Sequence, residues 1–517
     1  MTKPPIYAII FIGAWSVLSG YCTENTTGSR NDDMNKRNLT AFAVSIAAAA
    51  AFFSCSSTPV GQADISGQSD TAATSASEAA TADTTVSAVT TTQPATAAAA
   101  AKGSFYDAGG RLLLSTAEDG KRRVSADPYA VSFANIITVM SDGYDTAFDK
   151  ILTTPAEDGA GQSIKLTLDG DVQNEIYSYM ADNNLVGAVV VLRTDGSIMA
   201  QVSYPSYDPN TVADQKYDEE LAWGNVGNKA FSNYEPGSCF KIMSEVIADK
   251  HGVYSLYDDG TWDFGNDHPI VNWDHETNKS SYPIPNRTLS SAFINSSNIF
   301  FAKAFEAVGE YDVLSDLRTI FHFGAEDSDD IQCDFGKISN NIEIQDIDDL
   351  RRSAFGQSKV LTCPIFLAAL GREAVFGDMV TPFVLKETVS SDGTRKTGEG
   401  SKANDVIATI PPDYRQNLLN GMTGVGSGLG VYLPAGYSFY AKTGTAEGWR
   451  GDYLYITGCA KNQNDDGSQS WESYENYSEN GSYVVVMEVQ NPADHGLEFA
   501  AQSAGLYRGI MNIVVGR

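Results

Sequence analysis

The strand patterns of this chain stand at two places far apart in the sequence. Gly187–Ser203, GAVVVLRTDGSIMAQVS, is an apolar run, a Thr-Asp-Gly turn and an alternating run, the pattern of a hairpin. Near the C-terminus, YSFYAKTGTAE, GDYLYITGCA and GSYVVVMEVQNP give three more strands. Between them, roughly 236–380 carries mainly helical spacing, and Leu497–Val515 fits a final helix. Buried backbone N–H and C=O groups must be paired. The sheet must therefore be closed by distant parts of the chain, with helices packed on it. The predicted class is α+β, an antiparallel sheet flanked by helices, with a small N-terminal β-rich domain and a disordered N-terminal tether.

Upstream, KGSFYDAGGRLLLS looks like strand, glycine turn, strand. Ser163–Asp169 alternates as a strand should, and Asp169 is placed to cap the helix after it. The expected divisions are an export signal or anchor over 1–55, a linker over 56–101, a small domain over 102–163 and a main domain over 164–517. Lys461–Ser482 is a polar insertion between two late strands, expected as a long hairpin loop.

The N-terminus concerns targeting. Two apolar runs, Ile6–Tyr21 and Leu39–Ser54, are shorter than the ~18–20 residues of a spanning helix. Met34-Asn-Lys-Arg37 supplies a positive start to the second run, which makes Met34 an alternative start codon. The run ends at Ser54-Cys55, which resembles a lipoprotein signal with Cys55 as the lipidated residue; the other reading is an uncleaved membrane anchor. Either places the chain at the membrane on its extracytoplasmic face. Residues 56–101 hold no aromatic and few large branched side chains, so they cannot offset their own ordering entropy.

The net charge of −30 argues against nucleic acid, whose phosphates need clustered Lys and Arg. The six cysteines form no CxxC pair and stand at no metal-ligand spacing to the five histidines, so no structural metal is expected. The histidines suggest no Ser-His-Asp triad, and there is no G-x-S-x-G elbow. Gly424–Gly430, GVGSGLG, lacks the lysine of a phosphate loop and is expected to turn the chain into the following strand. The acidic pair Asp258-Asp259 is expected as solvated surface.

The chemistry concentrates elsewhere. Pro236-Gly237 leads into a helical pattern with Ser238 at its start and Lys241 on the same face. At a helix N-terminus the Ser238 N–H is unpaired and suits a developing oxyanion. A serine hydroxyl needs an adjacent base, and a lysine serves only if burial or a second cation depresses its pKa. Cys239 lies about 100° around the helix and is expected to be a packing residue. Alone, S-x-x-K is a weak signal. Ser296-Ser297-Asn298 then supplies S-x-N, and Lys442-Thr443-Gly444 supplies K-T-G on a predicted strand.

That ordered set resembles the penicillin-recognising serine acyl-transferases. The flanks Asn228-Lys-Ala230, Tyr234-Glu-Pro-Gly-Ser238, Tyr204–Asn210, Phe355-Gly-Gln357, Thr362-Cys-Pro364 and Lys442–Glu447 resemble the class B penicillin-binding proteins, over roughly 164–517. The resemblance implies a D,D-transpeptidase that cross-links peptidoglycan stem peptides, takes no cofactor and is acylated by β-lactams. It implies Ser238 as nucleophile on D-alanyl-D-alanine, Lys241 as base, and Ser296 as proton relay to the leaving D-alanine. Asn298 would hold an amide of the donor. Lys442 would keep Lys241 neutral and draw the substrate carboxylate, with Thr443 and Thr445 bonded to it. The oxyanion hole would be the N–H groups of Ser238 and Thr445, one such donor being worth ~3–4 kcal/mol. The second requires an exposed strand edge. A glycosyltransferase of the cell-wall machinery is an expected partner. The alternatives are a serine β-lactamase, a β-lactam-binding sensor and an inactive scaffold.

Overall fold

The separated strand patterns do meet in one sheet. The computed structural model describes residues 102–516 apart from 119–122, 127, 138–147, 158, 211–226, 266–267, 325–329, 449–450 and 469–480. The export signal, Cys55 and the 56–101 linker lie outside the described residues. The sheet order is Tyr437–Gly448, Gly451–Asn462, Tyr483–Gln490, Gly187–Arg193, Ile198–Tyr204, every pair antiparallel. The early hairpin thus occupies one side, and the strand carrying Lys442 is the opposite edge.

Both faces of this sheet are buried, and successive apolar residues enter two different cores. Val189, Val191, Leu454, Ile456, Val485 and Met487 face one core, shared with the helices Gly170–Asp182 and Ala504–Val515. Their neighbours Val190, Leu192, Tyr453, Tyr455, Val484 and Val486 face the other, shared with the helices Lys241–Lys250 and Pro364–Phe376. Successive strand residues point to opposite faces, so runs of valine supply both layers. Each fully buried aliphatic side chain contributes ~1.5–3 kcal/mol. Asp169 caps its helix as expected, accepting from the N–H groups of Asp171 and Val172, each at 3.0 Å.

A second sheet runs Lys396–Glu399, Leu385–Val389, Ser163–Leu166, Phe105–Tyr106, Leu112–Thr116, Arg123–Ser125. Ser163–Leu166 pairs in parallel with Phe105–Tyr106 and antiparallel with Leu385–Val389. Hydrogen bonding therefore crosses the division expected between 163 and 164. The middle region is mainly helical, as its spacing predicts, with strands the spacing does not show. Short two-stranded ribbons, among them Ser255–Asp258 with Ile284–Thr288, separate its helices.

Gly424–Gly430 is not a turn. It completes the helix Pro412–Leu429, with only Gly430 beyond the end. The glycines serve close packing. A Cβ at Gly424 would lie 2.7 Å from Ile294 Cδ1, and one at Gly426 would lie 2.8 Å from Phe439 O. At Gly421 it would lie 2.7 Å from Phe293 Cδ1. Helix propensity alone would favour alanine there by ~1 kcal/mol. Phe293 is fully buried and overpacking costs ~1–3 kcal/mol, so packing decides the sign. Gly421→Ala is expected to lower stability in urea unfolding by up to about 2 kcal/mol; a raised midpoint would show that Phe293 has room to move.

Candidate active site

Pro236 starts a tight turn. Gly237–Phe240 form a single 3-10 turn and the α-helix begins at Lys241, three residues later than the sequence pattern suggests. The tight turn eclipses residues three apart. It sets Lys241 Nζ 2.9 Å from Ser238 Oγ. Gly237 has φ +52°, and a Cβ there would fall 2.2 Å from Thr445 O. Gly356 has φ +73°, and its Cβ would fall 2.1 Å from Gly237 O. The Gly237 N–H donates to Gly356 O at 3.0 Å. These two glycines bring the Phe355-Gly-Gln loop, the serine turn and the K-T-G strand together without side chains between them. Tyr234 and Thr362 exchange two main-chain hydrogen bonds of 2.9 Å, which ties the serine flank to the Thr-Cys-Pro turn.

Lys241 is completely buried. Its Nζ meets Ser238 Oγ, Ser296 O at 2.8 Å, Ser296 Oγ at 3.2 Å and Asn298 Oδ1 at 2.7 Å. The rings of Phe301 and Phe355 lie 5.9 and 5.8 Å from it. Burial holds its pKa well below the ordinary lysine value, and the charge of Lys442 pushes the same way. A neutral amine has two N–H groups and one lone pair. With four oxygens around it, the lone pair can face only the hydroxyl hydrogen of Ser238 or Ser296. Lys442 is also fully buried, and burial brings its pKa down to about 8. Its Nζ donates to Ser296 Oγ at 3.0 Å and to Thr443 O at 2.9 Å. Ser296 thus stands between two lysines. It holds φ +55°, a left-handed conformation that costs a non-glycine residue ~1–3 kcal/mol.

Tyr437–Gly448 is an edge strand, so one row of its main-chain groups faces outward. In an antiparallel strand the N–H and C=O of one residue point to the same side. Thr443 O meets Lys442 Nζ, and Thr445 O faces Gly237. Gln357 turns its amide to Glu447, accepting from its N–H at 3.2 Å and donating to its C=O at 3.3 Å. Residues 443, 445 and 447 therefore direct their main chains to the open edge, and the Thr445 N–H points to the side where Ser238 stands. Gly444 lies on the other phase, where a Cβ would come within 2.5 Å of Pro236 O and 2.9 Å of Cys239 Sγ. The Thr445 hydroxyl accepts from the Ala500 N–H at 3.1 Å.

Ser238, Lys241, Ser296, Asn298 and Lys442 thus come to one place from the serine turn and its helix, the S-x-N loop and the helix it opens, and the K-T-G strand, with Thr443, Gly444 and Thr445 beside them. Both ends of the Asn298 amide are engaged, Oδ1 with Lys241 and Nδ2 with Val271 O at 2.9 Å. Cys239 is fully buried against Lys442 O and Thr457, and burial pushes its thiol up to about 11. Asp258 corrects the expectation of a solvated acidic pair. It is fully buried, bonded to Asn272 and Ser297 and paired with Arg287, whereas Asp259 meets Lys303 nearer the surface. Its sequence neighbourhood gives no sign of this, because Ser255–Asp258 alternates too briefly to show a buried end.

Comparison with known proteins identifies the family of this chain. The family described as the penicillin binding protein transpeptidase domain matches residues 186–512. Penicillin-binding protein 3 of Bacillus subtilis is 26% identical over 361 residues, covering 65% of this chain and 49% of that protein. Stage V sporulation protein D of Bacillus subtilis is 26% identical over 310 residues, covering 57% of this chain and 45% of that protein. The chain thus spans about half the length of these curated relatives. Among solved structures, penicillin-binding protein A from Mycobacterium tuberculosis superposes with a TM-score of 0.65 at 20% identity, over 81% of this chain and 100% of that one. At that identity it shows a shared fold. The chain belongs to the penicillin-binding protein transpeptidase family.

The burial of Cys239 makes a direct prediction. Native protein treated with a thiol reagent at pH 7.5 should leave Cys239 unmodified by peptide mass spectrometry, while urea-unfolded protein labels there. Rapid native labelling would reopen Cys239 as a rival nucleophile.

Proposed function

We propose that this protein is a peptidoglycan D,D-transpeptidase that works through a Ser238 acyl-enzyme and is acylated by β-lactams. The observation that carries the reading is Lys241 Nζ within hydrogen-bond reach of both Ser238 Oγ and Ser296 Oγ, with Lys442 on the far side of Ser296. A neutral Lys241 takes the Ser238 proton as Oγ attacks the carbonyl of the penultimate D-alanine. The oxyanion settles between the N–H groups of Ser238 and Thr445. Lys442, with the Thr443 and Thr445 hydroxyls, draws the terminal carboxylate. Lys241 then passes the proton through Ser296 to the amine of the departing D-alanine. An amine from a neighbouring stem attacks the ester by the reverse path and gives the cross-link. A β-lactam follows the first half and leaves Ser238 acylated. The open strand edge supports this reading, since an extended donor peptide can align there as an added strand.

On this reading 164–517 is the catalytic part and 102–163 a small pedestal-like part. Residues 56–101 are a spacer, and 1–55 hold the enzyme at the extracytoplasmic face, with Cys55 the lipid attachment point if the signal is of the lipoprotein type. A glycosyltransferase is the proposed partner. Among the described residues no helix is long and apolar enough to cross a membrane.

Labelling with a fluorescent penicillin tests the mechanism. Wild type should give a covalent band that persists in drug-free buffer, and Ser238→Ala should give none. Rapid decay of the band would point to a β-lactamase, and no band from folded wild type would leave the scaffold reading. The pH profile has a definite sign. The acylation rate should rise with pH as Lys241 becomes neutral, below the ordinary lysine range, and fall again around pH 8 as Lys442 loses its charge. A rate that climbs without a break beyond pH 9 would remove Lys442 from its proposed role.

A further inference from the structure

The proposed mechanism leaves one buried carboxylate beside the site unused. Asp258 ends the Ser255–Asp258 strand and is wholly inside the protein. A carboxylate there must be paired and fully hydrogen-bonded. Arg287, itself buried, is its ion-pair partner. Oδ1 accepts from the Gly260 N–H at 2.9 Å and from Asn272 Nδ2 at 2.9 Å. Oδ2 accepts from Ser297 Oγ at 2.7 Å.

Two of those partners lead straight to the S-x-N loop. Asn272, with its Nδ2 committed to Asp258, turns its Oδ1 to the N–H groups of Asn298 at 2.7 Å and Ile299 at 3.1 Å. Ser297 Oγ, while donating to Asp258, accepts from the Phe300 N–H at 3.0 Å. Three consecutive N–H groups at the start of the Asn298–Val308 helix are thus satisfied by groups that Asp258 orients. Ser296, in its left-handed conformation, directly precedes this turn, and Asn298 within it reaches Lys241.

We propose that Asp258, paired with Arg287, is a positioning residue of the acyl-transfer site: it orients Asn272 and Ser297, which fix the helix start after Ser296 and so hold Ser296 and Asn298 on Lys241. The catalytic consequence rests on the transpeptidase reading; the positioning itself does not. The Asp258 charge also acts on Lys241, favouring its protonated form against burial and Lys442, with Cys239 as the other titratable neighbour. Arg287 and the neutral Tyr282 hydroxyl stand beside Asp258.

Two variants of the full chain separate link from charge. Asn272→Ala cuts the Asn272 arm of the link and keeps the Ser297 arm and the Asp258–Arg287 pair. Asp258→Asn keeps the size, removes the charge and sets an Nδ2 donor where a carboxylate oxygen accepted, so the acid limb and not the rate reads the charge. In Asn272→Ala, penicillin acylation should slow 10- to 100-fold with the acid limb of the pH profile unmoved. Exchange of the Asn298 and Ile299 amides should quicken at least tenfold, with a single cooperative melt retained. In Asp258→Asn the acid limb should move to lower pH. Wild-type acylation and wild-type exchange in Asn272→Ala would overturn the proposal, and so would a loss of acylation that only tracks the unfolded fraction. An unmoved acid limb in folded Asp258→Asn would overturn the charge effect. If folded wild type is not acylated at all, the transpeptidase reading fails, and the exchange rates in Asn272→Ala alone decide the positioning.

Discussion

A lysine amine surrounded by four oxygens and sealed from water is the constraint on which the site is built. In water Lys241 would be a cation and useless as a base. Deprived of solvent and set near a second buried lysine, it is held toward neutrality. The desolvation is made by neighbours. Phe301 and Phe355 flank it, the 3-10 turn places it under Ser238, and Gly237, Gly356 and Gly444 let three backbones close around it. A single methyl at any of these glycines would meet backbone at 2.1 to 2.5 Å.

The scaffold answers a second demand. The large sheet is buried on both faces, which makes it rigid, yet its Lys442 strand is left at an edge. Such an edge is a ready template for another chain. Here it is covered in parts. The Ser238 turn meets Thr445, Gln357 occupies the Glu447 main chain, and Ala500 lies on the Thr445 hydroxyl. What stays open is a short stretch beside Ser238, where a donor peptide would align on the proposed mechanism. The insertion between the last two strands of this half is rooted away from that stretch, at Asn462 and Ser482.

Some of this was legible in the residues. The apolar runs Val189–Leu192 and Val484–Met487 predict strands, and the order S-x-x-K, S-x-N, K-T-G picks out the side chains that the fold brings together. Other features were not. GVGSGLG looks like a turn because glycine is weak in helices, and only the facing Phe293, Ile294 and Phe439 explain why a helix needs it there. Asp258 looks like surface because a carboxylate is usually exposed, and its partners Asn272, Arg287 and Ser297 lie 14 to 39 positions away. The strand Ser163–Leu166 gives no hint that its second partner is Leu385–Val389.

The sequence by itself determined the strands of the large sheet and most of the helices on it, because apolar runs and periodicity are local, and which side chains are of the types that acyl transfer needs, because their types and order are written in the chain. The tertiary structure alone decided the state of those side chains. A lysine's proton affinity depends on what excludes water from it, and an N–H is free only when no neighbouring strand takes it. Both are properties of contacts between segments far apart in the chain, and no local pattern encodes them.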